Sequence, residues 1–449
     1  MHCVLRMPRM RLLAALPAAL ICLSTGAVAQ QLTLPSTATT EGNRPLEFAL
    51  TGGASWSDNI ALLPADEKDG TFGQAGLLLG YAQKTRRIET SVDANIAYEH
   101  YFDNTFDDGV VGGVDASLDF TIVPERLRWF FQENFGQINA DPFAATTPDN
   151  RENINYFTTG PDLIFQFGSA TSLQLGARYS DAQYEISATD GRQYGGSIAL
   201  LRRLSGNTSV SLNASGDRIE FDDTTVNTDY DRYQAYLNYS TRAARTSLSI
   251  DAGYTAVDLG SRTSSGLLAR LSITRRLSPS ANLTLSGGTQ FSDAGDLFRN
   301  SQGTQGVGLD TLSVIGTGDP FESRFGSIGY GFSRNRTSFG LSVMHTRERY
   351  ENATALDRTL TDWNAYFSRR LSPVLELRIF AWLEQQSFSN IDFDDDELRA
   401  GAYLSWSVGR STSLRLQYDR HDRNTSDGST DYAANQFGLF VTWSPIGRP

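Results

Sequence analysis

Cysteine is nearly missing from this chain: Cys3 and Cys22 are the only two in 449 residues, and both fall in an N-terminal export segment. The remainder therefore has no disulfide and no cysteine metal site. Histidine is scarce as well. Past the leader only His100, His345 and His421 remain, with no close pair of the kind a zinc site needs. No other segment is long and apolar enough for a transmembrane helix, which takes about 20 residues. Positive charge is in deficit, 39 Lys+Arg against 51 Asp+Glu for a net charge of -12, and this argues against a nucleic-acid partner. Hydrophobic residues make up only 40%. That is low for a helical membrane protein but not for a barrel, whose alternating faces average out.

What is present begins with the leader. Arg6, Arg9 and Arg11 form a basic region, Leu12 to Leu23 is a short apolar stretch, and Ala27-Val28-Ala29 offers a small-residue cleavage site. The expected organisation is a signal peptide over 1–29 and a short periplasmic segment over 30–45. A transmembrane barrel over 46–443 and a tail over 444–449 follow. Met7 or Met10 could equally be the start, and Ile21 before Cys22 is not the small residue a lipoprotein site wants.

The rest alternates with period two. Leu248, Ile250, Ala252, Tyr254 and Ala256 interleave with Ser247, Ser249, Asp251, Gly253 and Thr255, and Leu173 to Tyr179 and Leu414 to Tyr418 do the same. A helix would space its apolar residues three and four apart. The segments run about ten residues or more, the length a tilted strand needs to cross a membrane.

Two kinds of connection separate them. Short basic turns occur at Arg202 to Gly206, Arg275 to Pro279 and Arg369 to Pro373, with weaker versions at Thr85, Pro124, Gly168, Arg242, Arg334 and Gly409. Longer acidic stretches lie between them: Asp103 to Gly109, Asp141 to Asn155, Asp222 to Asp229, Asp392 to Asp396 and Asn424 to Asp431. Short periplasmic turns and long outer loops are the habit of outer-membrane barrels. The expected fold is all-β, a single antiparallel up-and-down transmembrane barrel in the outer membrane. Nine short turns give about 20 strands, with 18 the count if one weak turn fails. A propeller is the competing reading of such spaced hairpins. Hairpins starting near Leu46 argue against a plugged TonB-dependent transporter.

The last strand, Gln436 to Trp443, resembles the insertion signal read by the barrel-assembly machinery, with Gln436, Gly438, Val441 and Trp443 at its marked positions. Phe437, Leu439, Val441 and Trp443 form its expected lipid face. The departure is a tail that leaves Trp443 short of the end.

Candidate chemistry is sparse. His421-Asp422 lacks a third partner for catalysis, so no catalytic residue, cofactor or metal is assigned. The cluster Asp392, Asp394, Asp395, Asp396 and Glu397 lacks the spacing of a calcium loop and reads as a solvated run. Alternation turns Glu376, Arg378, Phe380, Trp382 and Glu384 inward, with Tyr366 and Tyr403 on flanking strands. Flat rings beside charged groups suit saccharides; packing against an infolded loop is the other reading. The long connection Asp293 to Glu322, rich in Gly and Ser and with few apolar anchors, is a candidate for such a loop.

One stretch carries a resemblance. Trp129-Phe-Phe-Gln-Glu-Asn-Phe-Gly-Gln, Asp141-Pro142, Thr147-Pro148-Asp149-Asn150-Arg151-Glu152-Asn153 and Thr159-Gly160-Pro161-Asp162-Leu163, with Gly318-Asp319-Pro320-Phe321, together resemble the outer-membrane β-barrel porins of exopolysaccharide loci, including those beside PEP-CTERM sorting systems. The resemblance implies an outer-membrane channel passing polysaccharide. Its expected partners are membrane lipid and lipopolysaccharide, the barrel-assembly machinery, the polymer and export-machinery proteins. A general or small-solute porin is the alternative, and a barrel enzyme a weaker one.

Overall fold

The computed structural model describes residues 46–305 and 313–445. The leader, the 30–45 segment and the end of the tail lie outside the described residues. Twenty strands follow one another: Leu46–Ser57 (β1), Gly70–Lys84 (β2), Ile88–Tyr101 (β3), Gly109–Val123 (β4), Leu127–Asn139 (β5), Arg151–Phe167 (β6), Thr171–Tyr184 (β7), Gly191–Arg203 (β8), Thr208–Phe221 (β9) and Tyr230–Arg242 (β10) form the first half. Thr246–Asp258 (β11), Thr263–Ser278 (β12), Ala281–Ser292 (β13), Phe321–Arg334 (β14), Thr337–Tyr350 (β15), Arg358–Ser372 (β16), Leu375–Phe388 (β17), Phe393–Ser407 (β18), Thr412–Thr425 (β19) and Tyr432–Trp443 (β20) complete it. One helix, Ala294–Gln305 (α1), stands apart in the β13–β14 connection.

Each strand pairs antiparallel with the next, and β1 pairs with β20 from Leu50↔Trp443 to Ser57↔Gln436. The sheet is thereby closed, as hydrocarbon demands of backbone that has no water to bond. The seam is stapled at one end: the Asn435 amide and side chain both donate to the Asp58 carboxylate, each at 2.6 Å. The nine expected short turns are all present, two to four residues each, and the opposite end carries the longer connections. Local chemistry makes the short turns possible. Asn335 (φ 55°) and Gly168 (φ 75°) occupy the left-handed region that a tight reversal needs.

The period of two sorts the side chains. Leu212, Leu237, Ile250, Ile328, Leu341, Ile379 and Leu439 point outward and are exposed. Their register neighbours Asn213, Asn238, Asp251, Ser327, Arg378 and Gly438 point inward. An apolar exterior around a polar interior inverts the soluble arrangement and matches a membrane barrel. Strands of 12 to 17 residues exceed the roughly 10 that span the bilayer, so the wall continues past the membrane. Parts of the acidic stretches are thereby strand rather than loop: Arg151 to Asn155 in β6, Phe393 to Asp396 in β18, and Asn424 and Thr425 in β19.

Candidate functional site in the lumen

The inner wall of β16–β19 is built in rows fixed by register. Arg378 lies opposite Tyr403, Trp382 opposite Arg399 and Glu384 opposite Glu397. Tyr366 faces Phe380, and Asp362 faces Glu384. In the rows nearer the short turns, aromatic rings and guanidiniums alternate across the strands. Arg378 stacks 4.8 Å from the Tyr366 ring centre, and Arg415 stacks 4.6 Å from that of Tyr403. Arg378 also donates to the Tyr403 hydroxyl at 3.4 Å. Such stacking holds flat groups rigidly while leaving guanidinium N–H groups able to donate. Glu376 accepts from Ser368 at 2.6 Å.

Toward the loop end the wall turns acidic, with Asp362, Glu384 and Glu397 on neighbouring strands. Trp382 and Phe380 are not open platforms. They are 3% and 4% exposed, with Arg399 stacked over the Trp382 ring at 5.2 Å. A solute must displace Arg399 to reach that ring. The Trp382 indole N–H has no acceptor among the described residues.

Two connections close over this wall. The first is the β13–β14 connection. Asp293 caps α1, accepting the Asp296 amide at 2.7 Å, as Asp does at a helix start. The helix then buries Ala294 and Phe298 against Ile138, Ile154 and Tyr156 on β5 and β6, with Leu297 beside them. Charge ties it down. Arg232 on β10 bonds Asp293 at 2.8 Å and also reaches Asp296, while Arg299 pairs with Asp296 and stacks 4.6 Å over the Tyr156 ring. Ser313 then touches the far wall: its hydroxyl donates to Glu384 at 2.8 Å and its carbonyl accepts from Arg358 at 3.0 Å. Val314 packs back in the α1 cluster. The described parts of the connection, 293–305 and 313–320, thus lie in the lumen, and the scarcity of anchors expected from sequence is corrected: Phe298 is 0% exposed.

The second is the β5–β6 connection. Asn150 knits it together, donating to the carbonyls of Asp141 and Ala145 at 2.9 and 3.1 Å. Its Phe143 ring reaches Phe388 and Phe393, at 4.8 and 5.2 Å between centres, and Arg423 donates to the Phe143 carbonyl at 3.2 Å.

The other candidates come apart. His421 points inward and Asp422 outward, where Asp422 bonds Arg420 instead. The acidic run divides likewise: Asp395 pairs with Arg423 and Glu397 with Arg399 inside, while Asp394 and Asp396 face out. No group of three metal-ligating side chains occurs among the described residues. On β20, Phe437, Leu439, Val441 and Trp443 are exposed outward, and Gly438 leaves room for the Phe440 ring inside.

With a closed wall, an apolar exterior and a charged lumen, the setting is decided. The chain is an outer-membrane β-barrel. No family model matches the sequence, and no curated protein matches it. Solved barrels of similar build include a ferric enterobactin receptor from Pseudomonas aeruginosa (10% identity, 89% of this chain and 80% of that one, TM-score 0.46). The siderophore receptor PirA from the same organism gives 13%, 91%, 81% and 0.47. The FrpB iron transporter from Neisseria meningitidis gives 9%, 90%, 82% and 0.45. The likeness is one of barrel architecture and carries no ligand with it.

The residues behind the exopolysaccharide-porin resemblance have structural work of their own. Trp129 donates to Thr159 at 2.8 Å, Asp162 accepts from Arg178 at 2.7 Å, and Asp319 caps the 351–353 turn through Asn352 and Ala353.

Proposed function

We propose that this barrel is a gated channel for a hydrophilic, hydroxyl-rich solute, with an exopolysaccharide as the preferred cargo. The observation that carries the reading is the β13–β14 connection crossing a charged lumen, held by ion pairs and one small apolar cluster rather than by a packed domain core. Charged inner walls favour a wet bore, because burying Arg378 or Arg415 in a dry one is costly. The ladder Tyr366–Arg378–Tyr403–Arg415 supports the saccharide part. Rings offer a face to sugar C–H groups, and the guanidinium N–H groups suit hydroxyls. The exopolysaccharide part rests on the sequence resemblance alone. A small-solute porin is the second reading, favoured by the same wall.

The test is blockade of ion current by neutral oligosaccharides of increasing length, measured on the purified barrel in a planar bilayer after residues 301–317 are deleted. Saccharide transport predicts block that deepens with chain length. Equal, weak block at all lengths supports the small-solute porin instead.

A further inference from the structure

The wall itself has a break. The β12–β13 ladder stops at Ala269↔Thr289, although β12 continues to Thr263 and β13 to Ser292. Backbone groups left unpaired there must find another partner. The β4–β5 ladder also parts early, above Val114↔Phe135, and there a side chain fills in: Gln137 donates to the Val110 carbonyl at 3.1 Å and accepts from the Gly112 amide at 3.4 Å. Between β12 and β13 the Phe291 ring lies against Gly266 and Ser264 donates to Glu351 at 2.6 Å, and beside them is a cavity of about 720 Å³. Ser264 and Leu267 line one bank, and Thr289, Arg324 and Arg349 the other.

The outer bank is unusually basic. Arg324 and Arg347 are directly opposed on β14 and β15 and both face outward, with Arg349 two residues on. Like charges in that position destabilise a strand pair unless something neutralises them. Glu322 engages Arg324 at 2.9 and 3.1 Å, but Arg347 and Arg349 have no ion-pair partner among the described residues. Elsewhere on the outer face arginines meet carboxylates: Arg192 has Asp181 and Asp222, Arg218 has Glu220, Asp229 and Asp231, and Arg420 has Asp422.

Height fits as well. The outward row Ile328–Val343–Trp363 marks the top of the apolar band. Arg324 and Arg347 lie four residues further along their strands, about 13 Å at roughly 3.3 Å per residue, or about 10 Å of height on a strand tilted some 40°. That is headgroup level. Below them Leu271, Ile328 and Leu341 offer an exposed apolar strip.

The geometry points to a binding site for a phosphorylated glycolipid of the outer leaflet, its phosphate among Arg324, Arg347 and Arg349 and its sugar in the cavity between β12 and β13. Guanidiniums bind phosphate bidentately and stay charged at every relevant pH. Ser264 donates to Glu351 at 2.6 Å and Thr289 to Glu322 at 3.3 Å, which leaves their oxygens to accept from sugar hydroxyls, and the apolar strip takes the acyl chains. The site is independent of what the lumen carries.

Native mass spectrometry of the detergent-solubilised barrel with defined additives tests it. Bisphosphorylated lipid A is expected to remain bound at least tenfold better than its dephosphorylated form. That preference should vanish in Arg324→Gln/Arg347→Gln and persist in Arg218→Gln. If the double variant fails to show the heat-modifiable mobility of a folded barrel, Arg347→Gln alone should weaken retention at least threefold. Equal retention of dephosphorylated lipid A, or an unchanged variant, overturns the site. Equal retention of phosphatidylglycerol overturns the glycolipid assignment, and displacement by low-millimolar inorganic phosphate overturns the lipid assignment altogether.

Discussion

The Arg299 guanidinium lies 4.6 Å from the ring centre of Tyr156, seven strands round the wall from the strand that delivers it. A contact at that remove can form only if the β13–β14 connection lies inside the barrel. Arg232, 4% exposed, is the other end of the same clamp. Arg232→Ala leaves Asp293 and Asp296 without their shared cation. Removing one partner of a buried pair costs about 3–5 kcal/mol, so the docked connection should weaken by two orders of magnitude or more. Single-channel recording should show a higher open probability than wild type, with the barrel still folded.

Phe143→Ala tests the second closure. It removes two ring contacts, each worth about 0.5–1.5 kcal/mol, and leaves the Asn150 network within the connection intact. Limited proteolysis of cells or proteoliposomes should cut between residues 140 and 150 faster in the variant, while the Arg232 clamp keeps conductance close to wild type.

The clamp sets a pH response. Burial pushes the Asp296 carboxyl up, but Arg232 and Arg299 outweigh it and hold the group below its ordinary value of 3.8. A depressed value means docking stability that is complete above 3.8 and lost as pH falls through the lowered value. Asp293 runs the other way: burial and then repulsion from Asp296 raise it, so acidification from neutral pH favours docking until Asp296 itself protonates. Open probability should therefore stay flat or fall as pH drops from 7 and rise only below the ordinary value of 3.8. Asp296→Asn should abolish the acid rise; a wild-type barrel that opens steadily from pH 7 downward contradicts the assignment.

Arg378 joins two rings, so Arg378→Ala should disorder Tyr366 and Tyr403 together. Block of the loop-deleted channel by long oligosaccharides should weaken about tenfold, or about 1.4 kcal/mol, with little change in ion conductance. Trp382→Ala should do less in comparison, because Arg399 already covers that ring.

Period-two alternation and nine short basic turns made the barrel legible in the sequence, and of the two expected strand counts 20 is the one found. Facing then follows, so the inward placement of Glu376, Arg378 and Glu384 could be read from parity alone. The closure could not. Arg232 and Asp296 sit 64 positions apart, and no local pattern links them. A signal for α1 existed, since Asp293 is a good helix cap directly before Ala294, but Gly295 and Gly303 disguise the helix. Covering of Trp382 by Arg399 was equally hidden, because it depends on which residue of β18 lies opposite.

If the β13–β14 connection closes a wide bore, single-channel conductance of the barrel with residues 301–317 deleted will show it. Barrels of 16 to 18 strands already leave an aqueous channel, so the deletion should turn small or rare openings into steady steps several times larger than wild type. Conductance that is unchanged, or absent from a folded deletion variant, would mean that the connection does not close the bore.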